Sequence, residues 1–346
     1  MALNRRDFLK LSAAGVGGAL CANNAQALLQ REPKQLPPEA VGMLYDSTLC
    51  IGCKACMSAC KAANGMPPEQ TGETDLMWDT PIELSGKTLN VIKVYRDETV
   101  PASAQATLVK DQEQNGYAFM KRHCLHCVDP SCVSACPVSA MTKDPLTGIV
   151  EHHADRCIGC RYCVYGCPFG VPKYEYNEAF GQIQKCQFCA HLQAKGELPA
   201  CCDVCPTGAT LFGKVRDLQA EAERRMAKQP GDTYVFPRGK LGGDRPPHEA
   251  KIPEYRKELY GDNELGGTQI LYLAGVPFDK LGLPTNIPDY GYPTLSEGIQ
   301  HMLYKWMIAP AVLLGGLAYV VHRNTQKSHD DEGQSGSDTS SEGEES

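Results

Sequence analysis

Apolar positions fall into a few readable patterns along the chain. Near the C-terminal end, "LYKWMIAPAVLLGGLAYVV" (303–321) runs for 19 residues with one charge, Lys305. A helix that crosses a bilayer needs about 20 mostly apolar residues, so a transmembrane helix is expected over 303–321. Tyr304 and Trp306 suit one interface, and His322, Arg323 and Lys327 suit a positive inner flank. Pro310 would kink such a helix, which a membrane span tolerates with neighbouring support. A buried core helix is the competing reading of a run this long. "TLNVIKVYRD" (88–97) alternates as a strand does, and "TLFG" (210–213) and "TQILYLAG" (268–275) read as two more. Asp217 is placed to cap a helix over "LQAEAERRMAK", which Pro230-Gly231 would end. From there to about residue 300 the chain is rich in Pro and Gly. It reads as irregular chain wrapping over a surface or a partner.

Charge separates the ends from the body. The formal net charge of −7 over 346 residues hides an acidic end, since 329–346 holds seven acidic side chains and no Lys or Arg. That Ser/Gly/Asp/Glu segment has nothing to bury, so 322–346 is expected to be a disordered, cytoplasmic tail. The body carries little net charge and no clustered basic surface, which gives no reason to expect nucleic-acid binding. The first 27 residues, "MALNRRDFLKLSAAGVGGALCANNAQA", place Arg5-Arg6 before an apolar Gly/Ala-rich run and Ala25-Gln26-Ala27. That order reads as a twin-arginine export signal over 1–27; the plain alternative is a short N-terminal helix. Leu20 argues against a lipid anchor on Cys21, because a small residue is wanted there. Resemblance to such signals implies export of a folded chain with its cofactors in place. The remaining cysteines therefore do not read as a disulfide framework, even for an oxidising compartment.

The chain holds 18 cysteines, 16 of them in four clusters. Cys50, Cys53, Cys56 and Cys60 are spaced C-x₂-C-x₂-C-x₃-C. Cys124, Cys127, Cys132 and Cys136 are spaced C-x₂-C-x₄-C-x₃-C. Cys157, Cys160, Cys163 and Cys167 repeat the first spacing, and Cys186, Cys189, Cys201 and Cys205 are spaced C-x₂-C-x₁₁-C-x₃-C. The first and third spacings are those of bacterial ferredoxins, whose [4Fe–4S] cubes each take four thiolates. Three cysteines three apart wrap a tight loop in which Gly52 and Gly159 ease the backbone. In two-cluster ferredoxins the fourth cysteine serves the other cube. Pro137, Pro168 and Pro206, following the last cysteine of three motifs, suit first helical positions; Lys61 departs from that pattern.

Other chemistries fit less well. Zinc would use CxxC pairs but has no need of four C-x₃-C endings. A c-type haem needs C-x-x-C-H, which none of the four pairs provides. Cys201 and Cys202 compete for one ligand position, and Cys201 preserves the C-x₃-C-P ending. His126 lies between two cysteines of a complete set, which makes it a packed neighbour rather than a ligand. Lys54 and Arg161 either tune a cluster by charge or are merely solvated. "SGKT" (85–88) resembles the end of a phosphate loop, but Pro81 stands where its first Gly belongs. No Ser/His/Asp set or carboxylate pair stands out, so a non-catalytic electron carrier is expected.

Over roughly 43–215 the chain resembles the four-cluster ferredoxin-like β subunits of membrane-bound respiratory oxidoreductases. That resemblance implies an α+β fold of two interleaved ferredoxin-like modules, with irregular wrapping segments and one C-terminal transmembrane helix. It places the core at 43–215 and a wrapping extension at 216–300 within a domain spanning 28–300. It also implies four [4Fe–4S] clusters, with the first motif paired to the fourth and the second to the third. One cube would take Cys50, Cys53, Cys56 and Cys205, and another Cys60, Cys186, Cys189 and Cys201. A third would take Cys124, Cys127, Cys132 and Cys167, and the last Cys136, Cys157, Cys160 and Cys163.

The stretches "GMLYDSTLCIGCKAC", "HCLHCVDPSCVSACPVSA", "DPLTGIV", "GCRYCVYGCPFGVPKYEYN", "GGTQILYLAGVPF" and "IQHMLYKWM" narrow the resemblance to the HybA-type subunits of hydrogenase 2, a respiratory [NiFe] enzyme. Its implied partners are the hydrogenase small and large subunits and an integral membrane quinone-reactive subunit. The implied setting is the periplasmic face of the inner membrane. The β subunit of a formate dehydrogenase or another respiratory molybdoenzyme is the nearest rival, but such subunits normally lack their own export signal. A soluble nitrite-reduction partner would have the signal without the span. A zinc-stabilised assembly factor would be colourless.

Overall fold

The computed structural model describes residues 31–69, 80–96, 117–177 and 181–334. The segment read as an export signal, with Arg5, Arg6 and Cys21, and the last residues of the acidic tail (335–346) lie outside them. The chain divides into a body, Glu32–Thr294, and a second unit whose described residues are Arg31 and 295–334.

The first half of the body runs from strand β1 (Val41–Asp46) through helix α1 (Ala55–Ala63) to strands β2 (Val91–Arg96) and β3 (Tyr117–Arg122). Helix α2 (Ser131–Ser134) then leads to strands β4 (Met141–Lys143) and β5 (Val150–His152). Helix α3 (Tyr162–Gly166) precedes the short strands β6 (Lys173–Tyr174) and β7 (Ile183–Gln184). Helices α4 (Ala190–Gln193) and α5 (Ala200–Asp203) come next, followed by strand β8 (Thr210–Lys214) and helix α6 (Val215–Met226). The later part adds strands β9 (Thr233–Phe236), β10 (Gly239–Lys240), β11 (His248–Lys251) and β12 (Ile270–Leu273). Helix α7 (Tyr292–Gln334) ends the described chain.

Four strands form one sheet in the order β10-β8-β1-β12, with β1 antiparallel to β8 and parallel to β12. Side chains alternate across such a sheet, and here the alternation divides two cores. Met43, Tyr45, Phe212, Ile270 and Tyr272 belong to the large core that holds many of the cysteines. Leu44, Leu211, Leu271 and Leu273 pack with Val215, Leu218 and Ala222 of α6 on the other side. The remaining pairs, β2–β3, β4–β5, β6–β7 and β9–β11, are separate two-stranded ribbons.

The expected strands over 88–97, 210–213 and 268–275 correspond to β2, β8 and β12. The expected helix over "LQAEAERRMAK" corresponds to α6, and the stretch from Pro230 to about 300, read as irregular apart from 268–275, also contributes β9, β11 and a strand of the main sheet, β10. Asp217 does not cap α6; the helix starts at Val215, after Lys214. The Val215 N–H is satisfied by the Ala40 carbonyl at 3.0 Å, so the first turn has a backbone partner and no side-chain cap.

Helix α7 is longer than the expected 303–321 in both directions. Pro293 sits in its first turn, a position proline tolerates, and no glycine or proline interrupts 317–332. Residues 292–323 are long and apolar enough to cross a membrane, with mean hydropathy 1.4. Leu303, Trp306, Ile308, Val312, Leu313 and Leu314 are all exposed, a run of apolar surface that marks contact with lipid or another protein.

One buried network fixes β1 against α6. Arg225 is fully buried and donates from Nη1 to Asp46 Oδ2 at 3.0 Å and from Nε to Glu221 Oε1 at 2.9 Å. Tyr255 adds a hydrogen bond from its hydroxyl to Asp46 Oδ2 at 2.7 Å. Asp46 also accepts from the Thr48 N–H at 3.1 Å, so the network reaches the loop leading to Cys50. Replacing Arg225 by Met leaves the buried Asp46 carboxylate without its cation and leaves Glu221 with Arg224 alone, which should cost about 3–5 kcal/mol. Chemical denaturation of the Arg225→Met variant measures this; a midpoint equal to that of the parent contradicts it.

Candidate iron–sulfur site

The four cysteine motifs share a backbone device. The second residue between the first two cysteines has positive φ in each: Gly52 (68°), His126 (49°), Gly159 (69°) and Phe188 (55°). This left-handed turn curls the C-x-x-C loop so that both thiols face the same side. Glycine is needed at 52, because a Cβ there would lie 2.4 Å from the Phe119 ring. In the first and third motifs a second left-handed residue, Lys54 or Arg161, then starts the helix.

Helices α1, α2, α3 and α5 each run through the third cysteine of their motif (Cys56, Cys132, Cys163 and Cys201), and all but α1 end before the fourth. Cys136, Cys167 and Cys205 therefore follow a helix rather than open one. Pro137, Pro168 and Pro206 are in turns after α2, α3 and α5, not at first helical positions. Proline there stops the helix. Lys61 imposes no such stop, and α1 continues through Cys60 to Ala63.

Cysteines from distant motifs line common cavities. One of about 330 Å³ is bordered by Cys50, Cys53, Cys56 and Cys205, together with Tyr45 and Ile92. Another, of about 370 Å³, is bordered by Cys60, Cys186, Cys189 and Cys201, with Asn90, Lys121 and His123. The third, of about 290 Å³, is bordered by Cys136, Cys157, Cys160 and Cys163, with His152 and Arg161. The Cys127 thiol feels the charges of Cys167, Cys124 and Cys132, which brings the remaining four into one neighbourhood. Each set of four combines three cysteines of one motif with the last cysteine of another.

The donor chemistry of these cavities suits a sulfur-ligated cube. Among the described residues no group of three or more His, Cys, Asp or Glu converges on a single ion position. Zinc would hold its sulfurs at about 2.3 Å, whereas thiols spread around a cavity suit a cluster of several atoms. N–H groups already point at sulfur: Ala140 N to Cys136 Sγ at 3.2 Å, Phe188 N to Cys186 Sγ at 3.4 Å, and Asn64 Nδ2 to Cys60 Sγ at 3.6 Å. Burial, reinforced by neighbouring thiols, pushes Cys56 up to about 12 and Cys60 and Cys163 up to about 11. Metal loading must therefore release protons. Cys201 is the exception: a hydrogen bond from Cys202 and the nearby Lys121 ammonium draw it down. Cys201 borders the 370 Å³ cavity; Cys202, fully buried beside it, is not among the residues lining it.

The residues flagged between the ligands fall into place differently. His126 is buried and accepts the Val150 N–H on Nδ1 at 3.0 Å. Its ring packs 5.2 Å from Phe188. Lys54 donates to the Thr80 carbonyl at 2.6 Å, and the Arg161 guanidinium lies 5.2 Å over the Tyr174 ring. Ser85 and Thr88 exchange backbone hydrogen bonds across a tight turn. Sequence reasoning missed the buried lysines Lys121 and Lys185 and the half-buried Lys143. Lys143 donates to the carbonyls of Cys127 at 2.9 Å and Gly148 at 2.7 Å. Lys185 donates to the carbonyls of Val150 and Cys186. Their only sequence signal is nearness to the motifs, as in "MKRHC" and "QKC". Neighbouring sets also sense one another, at Cys56 and Cys201, Cys186 and Cys124, and Cys132 and Cys163. Cys53 and Cys160 are exposed, and Ile51, Ile158, Tyr162 and Tyr165 lie exposed beside them.

Comparison with known proteins points the same way. A family described as "4Fe-4S dicluster domain" matches residues 115–215. The chain is 46% identical over 338 residues to the Hydrogenase-2 operon protein HybA of Escherichia coli O157:H7, covering 96% of this chain and 98% of that one. It is 31% identical over 284 residues to the nitrate-inducible formate dehydrogenase iron-sulfur subunit of Escherichia coli K12, covering 80% and 81%. The geometry of the first loop gives a direct test. A Gly52→Val variant, strained at φ 68° and blocked by Phe119, should lose part of the bound iron. Full iron content by elemental analysis contradicts this.

Proposed function

The chain belongs to the family of the Hydrogenase-2 operon protein HybA, and on that premise we propose that it is the electron-transfer subunit between a [NiFe] hydrogenase small subunit and a membrane quinone-reactive subunit. The observation that carries this reading is the recurrence, four times, of three cysteines from one motif beside a fourth from another. On this reading the sets hold four [4Fe–4S] clusters, and the exchanged fourth cysteines interleave two ferredoxin-like modules. When bound, each cube supplies a one-electron carrier whose potential depends on charge, hydrogen bonds and exposure.

The protein's own part is to hold, space and shield those carriers. The left-handed turns at Gly52, His126, Gly159 and Phe188 aim pairs of thiols at one position. N–H donors from Ala140, Phe188 and Asn64 spread the negative charge on Cys136, Cys186 and Cys60. The electrostatic influence of Cys201 on Cys56, of Cys124 on Cys186 and of Cys163 on Cys132 supports a single file. Exposed Cys53 and Cys160 favour the two ends of that file as the places where partners exchange electrons. The body is read as periplasmic, exported by the twin-arginine route over 1–27. Residues 303–321 of α7 are read as its anchor in the inner membrane, followed by a cytoplasmic tail.

The likeness to a formate dehydrogenase iron-sulfur subunit sustains one second reading, in which a molybdoenzyme is the partner. Detergent purification with identification of the co-purified subunits separates the two. The expected complex contains hydrogenase subunits and reduces quinone with hydrogen; a formate-oxidising subunit with no hydrogen activity overturns the assignment. The choice between adjacent thiols is tested by paired variants. Cys202→Ala should keep the full set of clusters, and Cys201→Ala should lose the signal of one by electron paramagnetic resonance. The reverse pattern makes Cys202 the ligand.

A further inference from the structure

Lys121 presents an unusual electrostatic problem. It is fully buried on β3, and among the described residues no carboxylate lies within ion-pair reach of it. Lys185 is also buried and Lys143 half-buried, but each spends its ammonium protons on carbonyl oxygens. The partners of Lys121 are sulfurs: Met43 Sδ lies at 3.9 Å, Cys201 borders the same cavity, and the charge of Cys201 is the strongest influence favouring the ammonium. The lysine's charge is also felt by Cys56 and Cys202. An ammonium taken out of water is costly unless an anion compensates it. The anions within reach are the thiolates of two different cysteine sets.

The hairpin places the lysine at the joint between those sets. In the β2–β3 register Lys121 pairs with Ile92. Ile92 borders the cavity of Cys50, Cys53, Cys56 and Cys205, and Lys121 borders that of Cys60, Cys186, Cys189 and Cys201. We propose that Lys121 is a shared counter-ion for these two sites, a positioning residue that raises the reduction potentials of both clusters and so favours electron residence on that half of the file. This rests on the reading of the cysteine sets as cluster ligands. Each one-electron reduction adds a negative charge to the site, and a fixed buried ammonium stabilises the reduced state more than the oxidised one. Low local dielectric keeps that effect from being screened.

The test is a redox titration, followed by electron paramagnetic resonance, of the intact detergent-solubilised complex carrying Lys121→Met or Lys121→Arg. In the Met variant two of the four midpoints should fall, each by at least the 59 mV that corresponds to a tenfold change in a one-electron equilibrium. The other two should stay, and the Arg variant should restore the pair. Four unchanged midpoints, or four that move equally, overturn the proposal. Should the Met variant lose its clusters, the parent protein decides. Pulsed resonance on ¹⁵N-lysine-labelled complex should show nitrogen coupled to a reduced cluster, and its absence overturns the proposal. A colourless, iron-free protein would instead refute the cluster reading on which this rests.

Discussion

Everything in the body answers to one geometric demand: four thiols must meet around a cavity, and no single short segment can present all four. A C-x-x-C-x-x-C loop curls around one side of the site and leaves the other side open. The helix that follows carries the fourth cysteine away, toward a different cavity. The structure closes each opening with a cysteine from a remote motif: Cys205 beside the first, Cys60 beside the fourth, Cys136 beside the third. Neither half of the chain can complete its own sites. The main sheet reflects the same demand, since β1 and β8, which lead into the first motif and out of the fourth, pair antiparallel at its centre. Pairing them brings Cys50 and Cys205 to the same end of the sheet.

The second constraint is charge. Two kinds of buried cation occur within this small body, and they are compensated differently. Arg225 is held by the carboxylates of Asp46 and Glu221, a closed structural clamp on the side of the sheet packed against α6. Lys121 has sulfur around it, on the side that holds the cysteines. Carboxylates neutralise a cation whatever the redox state of the protein, whereas thiolates bound to a redox centre change the balance with each electron. The sheet thus separates a region built for stability from one built for electron transfer.

Much of this was legible in the residues, for identifiable reasons. Cysteine spacing is set by loop geometry that varies little, so the four motifs could be counted before any fold was known. Strands β2, β8 and β12 announced themselves by β-branched and aromatic runs. Strand β1 did not, because its residues are buried on both faces and show no polar alternation. The role of β12 was hidden too, since a strand in a Pro- and Gly-rich stretch gives no hint that it joins a sheet with β1 some 230 residues earlier. His126 and Phe188 occupy the left-handed position that Gly52 and Gly159 occupy openly, and only structure reveals that equivalence. Lys121, Lys143 and Lys185 look like any surface lysines in the sequence; pairing across the β2–β3 hairpin is what takes Lys121 out of solvent.

The central claim, that four separate cubes sit in the four cysteine sets, is tested most directly by composition. Iron and acid-labile sulfide per chain, measured with Mössbauer spectra on the purified complex and corrected for the partner subunits, should each come to about sixteen with all iron in [4Fe–4S] form. About half that iron, or zinc in its place, would contradict the account.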